Sequence, residues 1–411
     1  MKKFFALLLS LAMVLALVAC GQKETTTPDD TQTPDDTTPE VEYKVAMITD
    51  YGDITDQSFN QTTYEACKAF AEDNSIEFSY FKPAGDNTAD RVAMIEKAVN
   101  DGFNVIVMPG YAFGGAIVEA APEFPDVKFI ALDVAAGDLL ETAVAKAGEA
   151  YDYTPENWDL NKYVDMSNVY CAVYQEELCG YMAGYAAVKL GYKNLGFLGG
   201  MSVPAVVRYG YGFVQGVDAA AADLGLTDVK LNYIYGGQFF GDADITAVMD
   251  TWYQGGTEVV FACGGGIYTS AVDAAKKVGA KVIGVDVDQA GVIAKYAGVD
   301  GMTVTSAMKG LYPATYDTLT DVIVNGNWDK YVGKIATLGL VSGTDPEANY
   351  VQIPMGDGTQ WSDSFTQDDY KAMVKDMFDG KITVSNNTSS DVSAADFATV
   401  ITVDDQGSIK G

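Results

Sequence analysis

The sequence predicts an α/β protein with two lobes, each a parallel sheet covered by helices on both faces. Three observations carry this. Short apolar runs alternate with helical patterns from Val41 onward, as in a chain of βαβ units. The alternation restarts after residue 175 as a second series of the same kind. Several of the apolar runs end directly on a carboxylate, which puts acids at the carboxyl edge of a sheet, where open α/β folds bind ligands.

The N-terminus reads as a targeting segment, with Lys2 and Lys3 ahead of a short apolar stretch ending in Leu17-Val18-Ala19-Cys20. Residues 1–19 are expected to be a signal peptide. Residues 22–40 hold Thr, Pro, Asp and Glu without a large apolar side chain, so 20–41 should be a tether that cannot bury a core.

The first series opens with Val45-Ala46-Met47-Ile48-Thr49, a buried strand ending on Asp50 and a turn at Gly52. Ser58 with Gln61 three residues later has the form of a capping box, making Ser58 an N-cap and placing Phe59 and Asn60 on an exposed first turn. Tyr64, Cys67, Phe70 and Ala71 already supply the apolar face of that helix. Phe59 is therefore either a hydrophobic staple or an aromatic surface looking over the sheet edge. Strands follow at 77–81, 105–108 and 128–132, the last ending on Asp133, with helices at 90–100 and 114–121; residues 135–168 are less regular. After a strand at 169–174 the second series opens, with helices at 177–190, 205–224, 242–253 and 268–278 and strands at 195–198, 229–235, 258–262 and 281–285, the last ending on Asp286. A strand at 302–306 runs into Lys309 and a helix at 311–324, and one more helix is expected at 367–378. Residues 386–411 carry little pattern and are expected to fray.

Composition narrows the chemistry. A formal charge of -31 in 411 residues argues against a nucleic-acid or anionic-membrane surface. The absence of histidine removes Ser-His-Asp and Cys-His catalysis and imidazole metal sites, and the five cysteines show no C-x-x-C spacing, so no metal and no cofactor are expected. Cys67, Cys171, Cys179 and Cys263 read as small core residues. Gly264-Gly265-Gly266 follows a strand and opens a helix, but it lacks both G-x-G-x-x-G and a P-loop signature. Close approach of its backbone to a ligand or to a neighbouring element is the better reading, with Gly265 as the contact. Phe213, in Arg208-Tyr209-Gly210-Tyr211-Gly212-Phe213, is either a second aromatic face for a ring or core packing. Asp50, Asp133 and Asp286 with Phe59, Asn60 and Lys309 would suit a neutral, hydroxyl-rich ligand carrying a ring.

TDYGDITDQSFNQ (49–61), EELCGYMAGYAA (176–187), GFVQG (212–216), VIGVDVDQ (282–289) and TSAMK (305–309) together resemble the basic membrane protein family over about residues 42–385. Leu17-Val18-Ala19-Cys20 likewise resembles a bacterial lipobox, which implies lipidation of Cys20 and an extracytoplasmic protein anchored to the cell membrane by lipid alone. The family comprises lipoproteins similar to purine nucleoside receptors that serve ABC importers. The resemblance implies a type I periplasmic-binding-protein fold, two doubly wound lobes joined by three crossovers. The first lobe would be 42–175 with 304–327, and the second 176–303 with 328–385. It further implies that Phe59 and Phe213 sandwich a base, that Asn60 and Asp133 read its edge, that Asp286 and Lys309 hold the ribose hydroxyls, and that Asp50 adds a polar contact. The implied partners are a nucleoside and a permease with its ATPase, with a monomer expected and no nucleic acid. A sugar-binding protein of the same fold, or a sensor or adhesin without a transporter, are the rival readings. An enzyme is disfavoured, because dispersed aspartates without His give no activated nucleophile. The stretch 203–211 departs from the family pattern, having Tyr-Gly where more polar residues are expected.

Overall fold

The computed structural model describes residues 42–410. The signal segment, Cys20 and the tether lie outside the described residues. Among the described residues thirteen strands form two sheets: β1 (Lys44–Ile48), β2 (Glu77–Phe81), β3 (Val105–Pro109), β4 (Lys128–Leu132), β5 (Val169–Tyr174), β6 (Asn194–Gly199), β7 (Lys230–Tyr235), β8 (Val259–Cys263), β9 (Lys281–Asp286), β10 (Thr303–Lys309), β11 (Lys334–Leu338), β12 (Val351–Gln352) and β13 (Thr402–Ser408). The first sheet has the order β11-β5-β4-β3-β1-β2 and the second β12-β10-β9-β8-β6-β7-β13. All pairings are parallel except β10 with β12.

The continuous apolar runs follow from burial on both faces. In β1, Val45 and Met47 pack with Cys67 and Phe70 of the helix Phe59–Asn74, whereas Ala46 and Ile48 pack with Ile95 and Ala98 on the opposite face. The chain passes between lobes three times: after β5, between β10 and the helix Leu311–Leu319, and between β11 and β12. That helix returns to the first lobe, where Tyr316 lies edge-on to Phe70 at 5.9 Å and its hydroxyl donates to Asp73 at 2.8 Å.

Two boundaries differ from expectation. β10 hydrogen-bonds to β9 in the second sheet, and β11 pairs with β5 in the first, so β10 and β11 lie in the opposite sheets to those expected, whereas β12 joins the second sheet as expected. Sequence pattern marks a strand but not its partner. The C-terminal residues also do not fray. β13 pairs with β7, and the Asp218 carboxylate receives the Thr399, Val400 and Ile401 amides at 2.8, 2.8 and 3.1 Å.

The motifs EELCGYMAGYAA and GFVQG prove to be the two sides of one helix crossing. The helix Glu176–Lys189 meets the helix Pro204–Asp223 backbone to backbone, because glycines on both remove the intervening side chains. A Cβ at Gly212 would lie 2.1 Å from the Glu177 carbonyl oxygen, one at Gly216 2.1 Å from that of Tyr181, and one at Gly180 2.3 Å from that of Tyr209.

Candidate ligand-binding cleft

The carboxyl edges of the two sheets face one another across a cavity of about 390 Å³, within the size range of small-molecule sites. Asp50, Phe59, Asn60, Asp133, Gly265, Asp286 and Lys309 all line it. Phe213 does not. It is fully buried against Phe197 and Phe261, and the glycine crossing draws it into the core of the second lobe. The expectation that it stacks on a base is corrected.

The first helix is capped differently from the pattern read in the sequence. Ser58 is its N-cap residue, but its side chain makes no cap. Asp56 does the capping instead, accepting from the backbone amides of Ser58, Asn60 and Gln61 at 2.9, 2.8 and 3.1 Å. Gln61 turns to Gln57, and no capping box forms. The Ser58 hydroxyl is thereby released to donate to Asp286 Oδ2 at 2.6 Å across the cleft. Asn60 is buried where exposure was expected. Its amide donates to Asp50 and Asp56 at 3.3 and 3.1 Å, while its Oδ1 is buried without a partner.

Asp50 receives the Tyr51 and Gly52 amides on Oδ1, both at 2.6 Å. Burial raises its carboxyl above the ordinary range despite these bonds. Asp133 and Asp286 both adopt left-handed backbone, with φ of 59° and 64°, and so turn back sharply at their strand ends. Asp tolerates this conformation better than most residues, and the matched outliers sit at the cleft, where such strain tends to occur.

Lys309, at the end of β10, is surrounded by three carboxylates. It pairs with Asp133 of the first lobe and lies 3.5 Å from Glu176 and 3.8 Å from Asp286. Burial alone would lower the ammonium, but Asp133, Asp286 and Glu176 together hold it above its ordinary value. Burial pushes Asp133 up to about 6, against the opposing pull of Lys309. Asp133 Oδ1 is buried without a partner. The Phe59 ring lies 4.8 Å from the Lys309 ammonium, a cation–π contact that fixes the ring at the cavity wall. Asp286 Oδ1 also accepts from the Tyr209 hydroxyl at 3.2 Å, and Arg208 pairs with Glu176 at 2.7 Å.

Several of these residues escaped sequence reasoning. Glu176 is the first charged residue after β5, so the rule that picked out Asp133 and Asp286 would also have found it. Tyr51, Phe239 and Phe240 line the cavity from loops, Tyr111 from a short 3-10 turn after β3, and Asp138 from the first turn of the helix Ala136–Lys146. Phe239 and Phe240 follow Gly236-Gly237 at the end of β7, a turn signal at the same sheet edge. The glycine run after β8 approaches this loop: Gly266 donates to the Phe239 carbonyl at 2.9 Å, and a Cβ at Gly264 would lie 2.8 Å from the Phe239 ring. Among the described residues no cluster of acids and cysteines could hold a metal ion, and no helix is long and apolar enough to cross a membrane.

The description "ABC transporter substrate-binding protein PnrA-like" belongs to the family whose sequence model matches residues 43–346. The ABC transporter nucleoside-binding protein BmpA of Lactococcus lactis is 25% identical over 84% of this chain and 90% of its own length. Basic membrane protein B of Borreliella burgdorferi is 26% identical over 75% of this chain and 83% of its own. Among solved structures, an ABC transporter solute-binding protein from Aeropyrum pernix superposes with a TM-score of 0.59 at 20% identity, covering 84% of this chain and 88% of that one. One from Conexibacter woesei gives 0.57 at 20% identity, covering 84% and 99%. These two likenesses establish the fold.

Proposed function

Because the chain belongs to the PnrA-like family of ABC transporter substrate-binding proteins, we propose that it captures a purine nucleoside between its lobes and delivers it unchanged to a permease and ATPase. The observation that carries this reading is the polarity of the cavity. Its unpartnered buried atoms, Asn60 Oδ1 and Asp133 Oδ1, are acceptors, whereas its buried cations Lys309 and Arg208 are held by carboxylates. Such a site receives N–H and O–H groups and disfavours phosphate, so a neutral nucleoside fits better than a nucleotide.

In this reading Phe59 supports one face of the base, and Asn60 and Asp133 accept from its edge. Asp50 adds an acceptor beside them. Asp286 retains lone pairs beyond its bonds to Ser58 and Tyr209, and with Lys309 close by it meets the ribose hydroxyls. Gly265 presents backbone. The Lactococcus relative, named a nucleoside-binding protein, supports the ligand class.

Calorimetry of the mature chain with adenosine, guanosine, inosine, ribose and the matching monophosphates tests the proposal. Nucleosides should bind ahead of the other two classes and be recovered intact by chromatography. Tighter binding of ribose would establish the sugar reading, and catalytic release of free base would establish an enzyme.

A further inference from the structure

The C-terminal strand lies beyond the segment that matches the family, which ends at residue 346, and none of its residues lines the cavity. It nevertheless ends on the loop that builds one wall of the cleft. That loop, residues 236–242, carries Phe239 and Phe240. The Phe239 ring lies over Gly200 and Gly264 and stands 6.4 Å from the ring of Tyr51 in the first lobe, so it closes the cleft from the second.

β13 is fixed independently of this loop, through its ladder with β7, the Asp218 carboxylate, and a bond from Trp252 Nε1 to Gln406 at 3.2 Å. Ile409 then donates to the Tyr235 carbonyl at 2.8 Å and directs Lys410 onto the loop. The Lys410 ammonium donates to Gln238 Oε1 at 3.0 Å and pairs with Asp242. Gln238 passes the restraint on, since its amide donates to the Phe240 carbonyl at 2.9 Å and to Asp242 at 3.0 Å. Gly237, with φ of 78°, lets the Lys410 backbone come close; a Cβ there would lie 2.8 Å from the Lys410 carbonyl oxygen. Among the described residues no other cation pairs with Asp242.

We propose that the C-terminal strand is a strap and Lys410 a positioning residue, holding the Phe239–Phe240 loop in place and so setting how long a ligand stays in the cleft. The residence-time part rests on the nucleoside reading above; the restraint on the loop does not. Deletion of the strand would also uncover β7, so the informative variants are Lys410→Ala and Lys410→Arg in the full mature chain. Amide exchange is followed at Gly236 and Gly237, which donate to the Gly199 and Gly200 carbonyls at 2.7 and 2.9 Å, and guanosine dissociation is followed by stopped flow.

For a half-exposed ion pair the expected change is about two- to fivefold. In Lys410→Ala both amides should exchange faster and guanosine should leave faster by that factor, with association and melting temperature nearly unchanged. Lys410→Arg, which keeps charge and reach, should restore both rates. Unchanged exchange in Lys410→Ala would overturn the strap. Faster exchange with unchanged dissociation would overturn its role in retention. If the wild-type chain binds no nucleoside, the nucleoside reading and the retention role fall together, while the exchange result still decides the strap.

Discussion

Ser58 Oγ lies 2.6 Å from Asp286 Oδ2, joining residues 228 positions apart and one lobe to the other. The bond exists because Asp56 caps the first helix and leaves the hydroxyl free. Hydrogen bonds to a charged group contribute about 1.5–3 kcal/mol. Ser58→Ala and Asp286→Ala should therefore show a coupling of about that size in a double-mutant cycle read by urea unfolding. Additive effects would mean that the contact contributes nothing to holding the lobes.

Asp138 gives a pH dependence of known sign. Burial pushes its carboxyl up to about 7, against the Ala135 amide that donates to it at 2.7 Å. The folded protein thus holds this proton to higher pH than the unfolded chain does, and its contribution to stability falls as pH rises from about 4 to about 7. Asp138→Asn stays neutral throughout. The variant should gain on the wild type across that window by about 1–2 kcal/mol, less than the full shift at ~1.4 kcal/mol per unit because Asp138 keeps some surface in the cavity. A constant difference from pH 4 to 8 in chemical denaturation would refute this.

The glycine crossing makes a steric prediction. Gly212→Ala and Gly216→Ala each drive a methyl to within 2.1 Å of a helix carbonyl, so each should lose about 3 kcal/mol or more as the helices separate. Gly291, in the helix Ala290–Ala297, has open space around it, and Gly291→Ala should gain up to about 1 kcal/mol from helix propensity alone. Thermal melts of the three variants decide the matter; equal effects at Gly212 and Gly291 would count against the packing account.

Cys20 lies outside the described residues. We propose that the chain is cut after Ala19 and lipidated there, a reading drawn from the Leu17-Val18-Ala19-Cys20 signature and the tether that follows. Labelled palmitate should be incorporated by the wild type and not by Cys20→Ala. Equal labelling of the two would disprove it.

The local pattern of the chain determined most of its architecture. Strands of four to six apolar residues between helices of 3.6-residue period can only be buried as parallel sheets with helices on both faces, and that much was legible in order along the sequence. The carboxyl-edge aspartates were legible for the same reason, since the topology sends every such strand end to one side. Which sheet each strand enters was not: β10 pairs with β9 and β11 with β5, and the apolar pattern of a strand does not name its partner. The role of Phe213 was decided by Gly180 and Gly184 on another helix, whose lack of side chains draws the ring into the core. Ser58 had the form of a cap, but Asp56 accepts three backbone amides as a carboxylate, the stronger acceptor, and the hydroxyl was left for Asp286. Local sequence names the candidates for each bond, and competition among partners brought together by folding chooses between them.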